Sequence, residues 1–266
     1  MLSHLGNKLF RHQIPAVGPP PGGFVDVHAH VIPTVDDGAK SWDETMAIMR
    51  NAAASGTSLL VATPHGDSRG KWHNIQELRD GVTAINARCG AEHLSINVVL
   101  GMENPLERGL VGRLEAGTAL CLNSSRYLLV EFPYTQLPLD WEQVLFQLQL
   151  AGKVPIIVHP ERQPAFQKNP ALLEGAIQRG NLVQITAGSL AAKFGSEVRK
   201  TAEELLKQGL VHILASDTHA PQGPRGPSML EGYAAAVRLI GTARAARMAS
   251  TFPRSLVTET VQTGPA

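Results

Sequence analysis

Histidines and carboxylates recur along this chain in short groups: His28-Ala29-His30, Asp36-Asp37-Gly38, Thr63-Pro64-His65, Gly101-Met102-Glu103, Glu131-Phe132-Pro133, His159-Pro160-Glu161-Arg162 and Ser216-Asp217-Thr218-His219. Imidazole is the usual metal ligand and proton carrier near neutral pH. Imidazoles mixed with carboxylates, with no thiolate among them, suit manganese, iron or zinc. His-x-His on a strand puts both rings on one face, because strand side chains alternate with period two, so His28 and His30 can reach a single ion. Nine candidate ligands emerge: His28, His30, one of Asp36 and Asp37, His65, Glu103, Glu131, His159, Asp217 and His219. That is too many for one ion and indicates two or three.

Something must bring these groups together. Runs with strand character recur at 24–28, 58–62, 96–100, 127–132, 154–158, 182–185 and 211–215, and helical signals lie between them. Ser41 with Glu44 forms a capping box before a helix that Gly56 closes, and Asn74 with Glu77 opens a second helix. A helix from Asp140 ends at Gly152, Asn169-Pro170 opens one that ends at Gly180, and Ser196 caps one that stops at Gly209. The region 229–250 is Ala-rich and helical. Strand and helix in alternation argue βα units around a parallel sheet. Seven units favour a barrel, with an open doubly wound sheet as the alternative. In such folds chemistry sits at the carboxyl ends of the strands. Six of the seven strand ends carry a His, Asp or Glu, the exception being Thr186-Ala187-Gly188-Ser189.

Composition narrows the function classes. In 266 residues, 24 basic side chains face 23 acidic ones, so no broad field draws the chain to nucleic acid or to an anionic membrane. An anionic ligand must be held by a local site. No apolar run reaches the roughly 18 to 20 residues that span a bilayer, and a cytoplasmic protein is expected. Cys89 and Cys121 are the only cysteines, which gives neither a disulfide framework nor a thiolate cluster. Residues 1–23 end in a Gly- and Pro-rich stretch and read as a flexible arm, 24–253 as the working domain, and 254–266 as a tail.

The segments Asp26-Val27-His28-Ala29-His30, Asp36-Asp37-Gly38, Ala62-Thr63-Pro64-His65, Glu131-Phe132-Pro133, His159-Pro160-Glu161-Arg162 and Ala215-Ser216-Asp217-Thr218-His219 resemble the polymerase and histidinol phosphatase (PHP) superfamily. Within it they are similar to the tyrosine-protein phosphatases of capsule and exopolysaccharide operons, the CpsB/YwqE type. The resemblance implies an α/β fold, a distorted (β/α)7 TIM-like barrel with a trinuclear site. His28, His30 and Asp217 would then hold a first ion and Glu103 would bridge it to a second. Glu131 and His159 would complete the second, and Asp37, His65 and His219 would hold a third. Arg162 and Arg225 would bind the substrate phosphate. The implied reaction is attack of a metal-held hydroxide on phosphotyrosine, with Mn2+ as the ion and Fe or Zn as alternatives. His219 is a candidate for protonating the leaving group. The implied partner is a bacterial tyrosine kinase that controls capsule or exopolysaccharide synthesis.

The loop from Gly66 to His73 departs from the family pattern in having no aromatic directly after His65. A cysteine-based phosphatase is excluded, because that chemistry needs an arginine six positions after the nucleophile. Ser95 and Tyr127 stand there instead. Two alternatives stay open: a phosphomonoesterase for a small substrate such as histidinol phosphate, and a regulatory module without turnover. Glu161 reads as a support for Arg162 or for a histidine, Tyr134 and Trp141 as rim packing, and His212 as a packed histidine. His73 is a candidate for touching substrate, while His4, His12 and His93 read as surface groups.

Overall fold

Short runs of branched aliphatic residues form eight strands in the computed structural model, which describes residues 17–259 of the chain. They are β1 (Phe24–Ala29), β2 (Thr57–Ala62), β3 (Asn97–Leu100), β4 (Glu103–Pro105), β5 (Tyr127–Glu131), β6 (Val154–Val158), β7 (Leu182–Thr186) and β8 (Ile213–Ala215). Every pairing is parallel, in one sheet of order β1-β2-β3 and a second of order β4-β5-β6-β7-β8. The chain therefore has the expected α/β fold. The third expected strand is β3, and a further short strand that the sequence did not indicate, β4, follows once the chain passes Gly101-Met102 and joins the second sheet. No side chain fits at Gly101, where a Cβ would meet Val61 Cγ1 at 2.9 Å.

Backbone hydrogen bonds join the two sheets at both edges. Glu103 N donates to Pro64 O and Gly66 N to Glu103 O, at 3.1 and 2.8 Å. At the other edge His30 N donates to Thr218 O and Asp217 N to His28 O, at 2.8 and 2.9 Å. The strands thus run in a closed order whose two seams are reduced to isolated bridges, Ala29 with Thr218 and His65 with Glu103. Both seams fall at site residues.

Two apolar layers hold the ring. Val25, Val27, Leu59, Val61, Leu129, Ile156, Val158, Ile213 and Ala215 fill its inside, and Leu256 and Val257 join them from the helix Phe252–Thr258. Residues of the opposite parity, among them Leu60, Leu128, Val130, Ile157, Val183 and Leu214, pack under the helices. Strands buried on both faces explain why these segments read as continuous apolar runs.

The helix Trp42–Ala54 begins as expected, with Ser41 Oγ accepting from Glu44 N at 3.2 Å. Asn74 does the same for Ile75–Ala91 through Glu77 N, at 3.1 Å. Three expectations are corrected. The helix Ser196–Gln208 takes Gly195 as its N-cap and Ser196 as its first turn residue. Pro170 is itself the N-cap of Ala171–Gln178, one position before the site where its fixed φ favours it. The Ala-rich region is divided at Gly241, whose φ of 82° suits glycine alone, into Met229–Ile240 and Thr242–Ala246. A π-turn at Arg247–Thr251 follows. Residues 1–16 of the expected arm, with His4 and His12, and 260–266 of the expected tail lie outside the described residues. Among the described residues, no helix is long and apolar enough to cross a membrane.

Candidate metal centre

His28 in β1 and His30, the residue just after that strand, owe their direction to a bulge. Between Asp26 and Ala29 this strand advances three residues, while β2 advances two from Leu60 to Ala62. One extra residue reverses the alternation. Ala29 consequently pairs on the outside with Ala62, and His28 and His30 turn inward above Val25 and Val27. Asp26 fixes the irregularity, its Oδ1 accepting from Ser216 N at 2.9 Å. Burial pushes the Asp26 carboxyl up to about 6. Two further site residues, His159 and Asp217, have left-handed backbones with φ of 36° and 52°. Such a conformation costs a non-glycine residue about 1–3 kcal/mol and concentrates at functional sites.

Glu103 stands at the centre. Its Oε1 lies 3.3 Å from His28 Nε2 and 2.9 Å from His159 Nε2, and its Oε2 3.4 Å from His30 Nε2 and 2.7 Å from His65 Nδ1. Asp217 Oδ1 is 3.6 Å from the Nε2 of both His28 and His30. Asp37 Oδ1 is 3.2 Å from His65 Nε2 and 3.4 Å from His219 Nε2. His159 Nε2 is 3.9 Å from Glu131 Oε1. All nine sequence candidates thus converge. Ligand atoms close enough to share an ion form three overlapping groups: His30, Asp37, His65 and His219; His28, His30 and Glu103; and His65, Glu103 and Glu131.

The residues fit metal ions better than they fit one another. Among the described residues, His65 Nδ1 and Nε2, Glu103 Oε2 and His219 Nε2 are buried without a hydrogen-bond partner, close to neighbours but misaligned for bonding. Each such orphan costs about 1–3 kcal/mol, and a cluster of them calls for a ligand. The Nε2 atoms of His28 and His30 face each other at 3.3 Å, an arrangement that suits two lone pairs aimed at one cation. Five imidazoles with four carboxylates and no thiolate complete a donor set for manganese, iron or zinc.

Electrostatics follow from the same contacts. Burial opposes charge on His28, but Glu103 and Asp217 outweigh it and raise its pKa to about 9. His65 likewise rises to about 10 against burial, through Asp37 and Glu103. Glu103 stays well below the usual carboxylate range despite its burial, held there by His28 and His159. Asp37 is pulled far down by His219 and His65. His219 behaves in the opposite way, lowered to about 4 by burial and by His30. Its ring is therefore neutral at pH 7, the form that can ligate a metal.

Several residues outside that set support the site. Asp36 points away from Asp37: its Oδ2 bonds His30 Nδ1 at 2.7 Å and accepts from His65 N at 3.1 Å, while Gly38 N donates to Oδ1. On β7, Gln184 Oε1 holds His28 Nδ1 at 3.0 Å. Such partners fix the tautomer and direction of a ligating ring. The sequence reading missed Gln184 because it sought metal donors alone, and the strand it passed over contributes through an amide. Arg69, also missed, grips Glu131 and Asp67.

Arg162 pairs with Asp217, its guanidinium 4.8 Å from the Phe194 ring and 5.7 Å from that of Tyr134. Arg225 bonds Asp37 Oδ2 at 2.9 Å. The two arginines flank the cluster through different carboxylates. Glu161 is corrected: its Oε1 accepts from Thr186 N and Ser189 Oγ at 2.9 and 2.7 Å, and so ties the ends of β6 and β7 together without bonding Arg162. Tyr134 reaches further in than rim packing, its hydroxyl 3.4 Å from His159 Nδ1 and its ring stacked on that imidazole. Trp141 does pack at the rim, edge-on to Phe132 and Phe166. His212 Nδ1 accepts from Val183 N, and His73 is exposed.

The family described as capsular polysaccharide synthesis, CpsB/CapC, matches residues 24–258. Tyrosine-protein phosphatase YwqE of Bacillus subtilis (strain 168) is 33% identical over 196 residues, 74% of this chain and 77% of that protein. Tyrosine-protein phosphatase CpsB of Streptococcus pneumoniae is 28% identical over 245 residues, 88% of this chain and 98% of that one. Among solved structures, one from work on YwqE and CpsB, described as unique metal-dependent tyrosine phosphatases, superposes with a TM-score of 0.82. It shows 29% identity and covers 88% of this chain and 94% of that chain.

Proposed function

This chain belongs to the CpsB/CapC family, and from that premise we propose that it is a metal-dependent protein-tyrosine phosphatase. The observation that carries the reading is the gathering of ligand-type side chains into three overlapping groups, with His65 Nδ1 and Nε2, Glu103 Oε2 and His219 Nε2 buried and without a hydrogen-bond partner among the described residues. His28, His30 and Asp217 would hold one ion, Glu103, Glu131 and His159 a second, and Asp37, His65 and His219 a third. Divalent ions bound there supply Lewis acidity, lowering the pKa of coordinated water and drawing charge from phosphoryl oxygens. Manganese is the ion we assign.

The chain's own groups do the rest. Arg162 offers a planar fork of donors to the non-bridging phosphate oxygens, and the aromatic rings of Tyr134 and Phe194 hold it in place. Charge that grows on those oxygens strengthens the contact in the transition state. Arg225 offers a second guanidinium across the cluster. A tyrosine leaving group has a pKa of about 10 and so departs with little protonation. This removes the need for an acid, in keeping with the neutral His219. The partner we assign is the phosphotyrosine-bearing tail of a bacterial tyrosine kinase of capsule or exopolysaccharide synthesis, met in the cytoplasm.

The test is hydrolysis of a phosphotyrosine peptide by purified protein. Turnover is expected with manganese and is abolished by a chelator. Full turnover in chelator, or none with any of manganese, iron or zinc, contradicts the reading.

A further inference from the structure

Beside the cluster lies a cleft of about 260 Å³ between the loop after His65 and the ends of β4 and β5. Pro105, Leu106, Pro133 and Tyr134 give it apolar walls, and Arg69 and Glu131 stand at its charged end. Glu131 is shared: it also belongs to the ligand group with His65 and Glu103. The cleft therefore adjoins the ligand cluster at Glu131.

Its walls are built in. Leu106 N donates to Glu131 O at 2.8 Å, which fixes that wall to β5. The facing loop is anchored by Arg113 Nη2 on Gly66 O at 2.7 Å and by Trp72 Nε1 on His65 O at 3.1 Å. Tyr134 is set by its stacking on His159, with the ring planes 15° apart and 5.9 Å between centroids.

On the phosphotyrosine reading, we infer that this cleft is the aryl subsite, which takes the substrate's phenyl ring and selects tyrosine over serine and threonine. Pockets for drug-sized ligands run from about 300 to 1,000 Å³. A cleft just below that range has room for one ring. In phosphotyrosine the ring is joined directly to the bridging oxygen, so a phosphate at the cluster puts the ring at the cleft. A phosphoserine reaching the same point brings its backbone N–H and C=O against apolar walls, where they lose water and gain no partner. The cleft thus discriminates by the group that the phosphate is attached to.

The experiment compares two inert ligands with the same head group, phenylphosphonate and methylphosphonate, titrated into the manganese-loaded full chain. Wild type is expected to bind the phenyl compound at least about ten-fold more tightly, a ratio that partial burial of one ring supports. Tyr134→Ala and Leu106→Ala should each cut that ratio several-fold, and Tyr134→Phe should preserve it. Equal binding of the two compounds by wild type, no binding of either, or an equal loss for both in Tyr134→Ala overturns the assignment. Because nothing is hydrolysed, a chain that shows the ratio but no peptide turnover would refute the phosphatase reading and leave the aryl subsite standing.

Discussion

Inside the ring of strands, Val25, Val27, Leu59, Val61, Leu129, Ile156, Val158, Ile213 and Ala215 form an apolar layer. Immediately beyond it, at the carboxyl ends of the same strands, lie five buried histidines, the buried carboxylates of Glu103, Glu131 and Asp217, and the exposed Asp37. The lower layer is satisfied by packing alone. The upper one holds ring nitrogens and a carboxylate oxygen that nothing among the described residues bonds, and two of its members sit on left-handed backbones. One layer contributes stability and the other draws on it. Residues with equal burial should therefore respond differently to the same alanine substitution.

The largest contrast is in turnover. His30→Ala or Arg162→Ala should lower phosphotyrosine hydrolysis by about 10²-fold or more, the scale on which loss of one transition-state contact is felt. Circular dichroism should show the fold retained. If either variant kept full activity, the upper layer would not be the catalytic one. In the lower layer, Leu129→Ala should lower stability by about 2–5 kcal/mol in urea unfolding. Its rate per folded molecule should stay at the wild-type value, and a specific loss of rate would erase the distinction between the layers.

Between these extremes lie residues that act through a ligand. Gln184→Leu removes the partner of His28 Nδ1. It should weaken manganese binding by about ten-fold, with little change in the stability of the metal-free chain. Unchanged affinity would make Gln184 a packing residue. A smaller effect distinguishes the layers by pH. Without metal, His28 and His65 have pKa values raised above the unfolded value, to about 9 and about 10. Their contribution is complete below about pH 6.5 and is lost as pH rises through those values. Bound metal requires the same rings deprotonated. The rise in unfolding midpoint caused by manganese should therefore grow from pH 6.5 to 9, whereas the loss due to Leu129→Ala should not vary over that range.

The sequence made the strand ends legible because metal donors there are costly to bury for any other reason, and that alone located the site. It did not show the bulge in β1. Strict alternation puts His28 and His30 on the face of Asp26, and only the register against β2 reveals that one extra residue turns them inward. Nor could spacing separate Asp36 from Asp37, since adjacent carboxylates differ only in which way the turn aims them. Gln184 and Arg69 were silent for another reason: an amide and a loop arginine have no fixed spacing to the groups they serve. Tyr134 looked like packing because its contact with His159 joins two strand ends far apart in the chain.

If metal ions complete the upper layer, calorimetric titration of manganese into the metal-free chain should reveal them. Two or three ions per chain are expected, with proton release on binding, and loss of at least one ion in His30→Ala and in His65→Ala. Absence of binding, or the same stoichiometry and affinity in both variants as in wild type, would mean that the upper layer is not a metal centre.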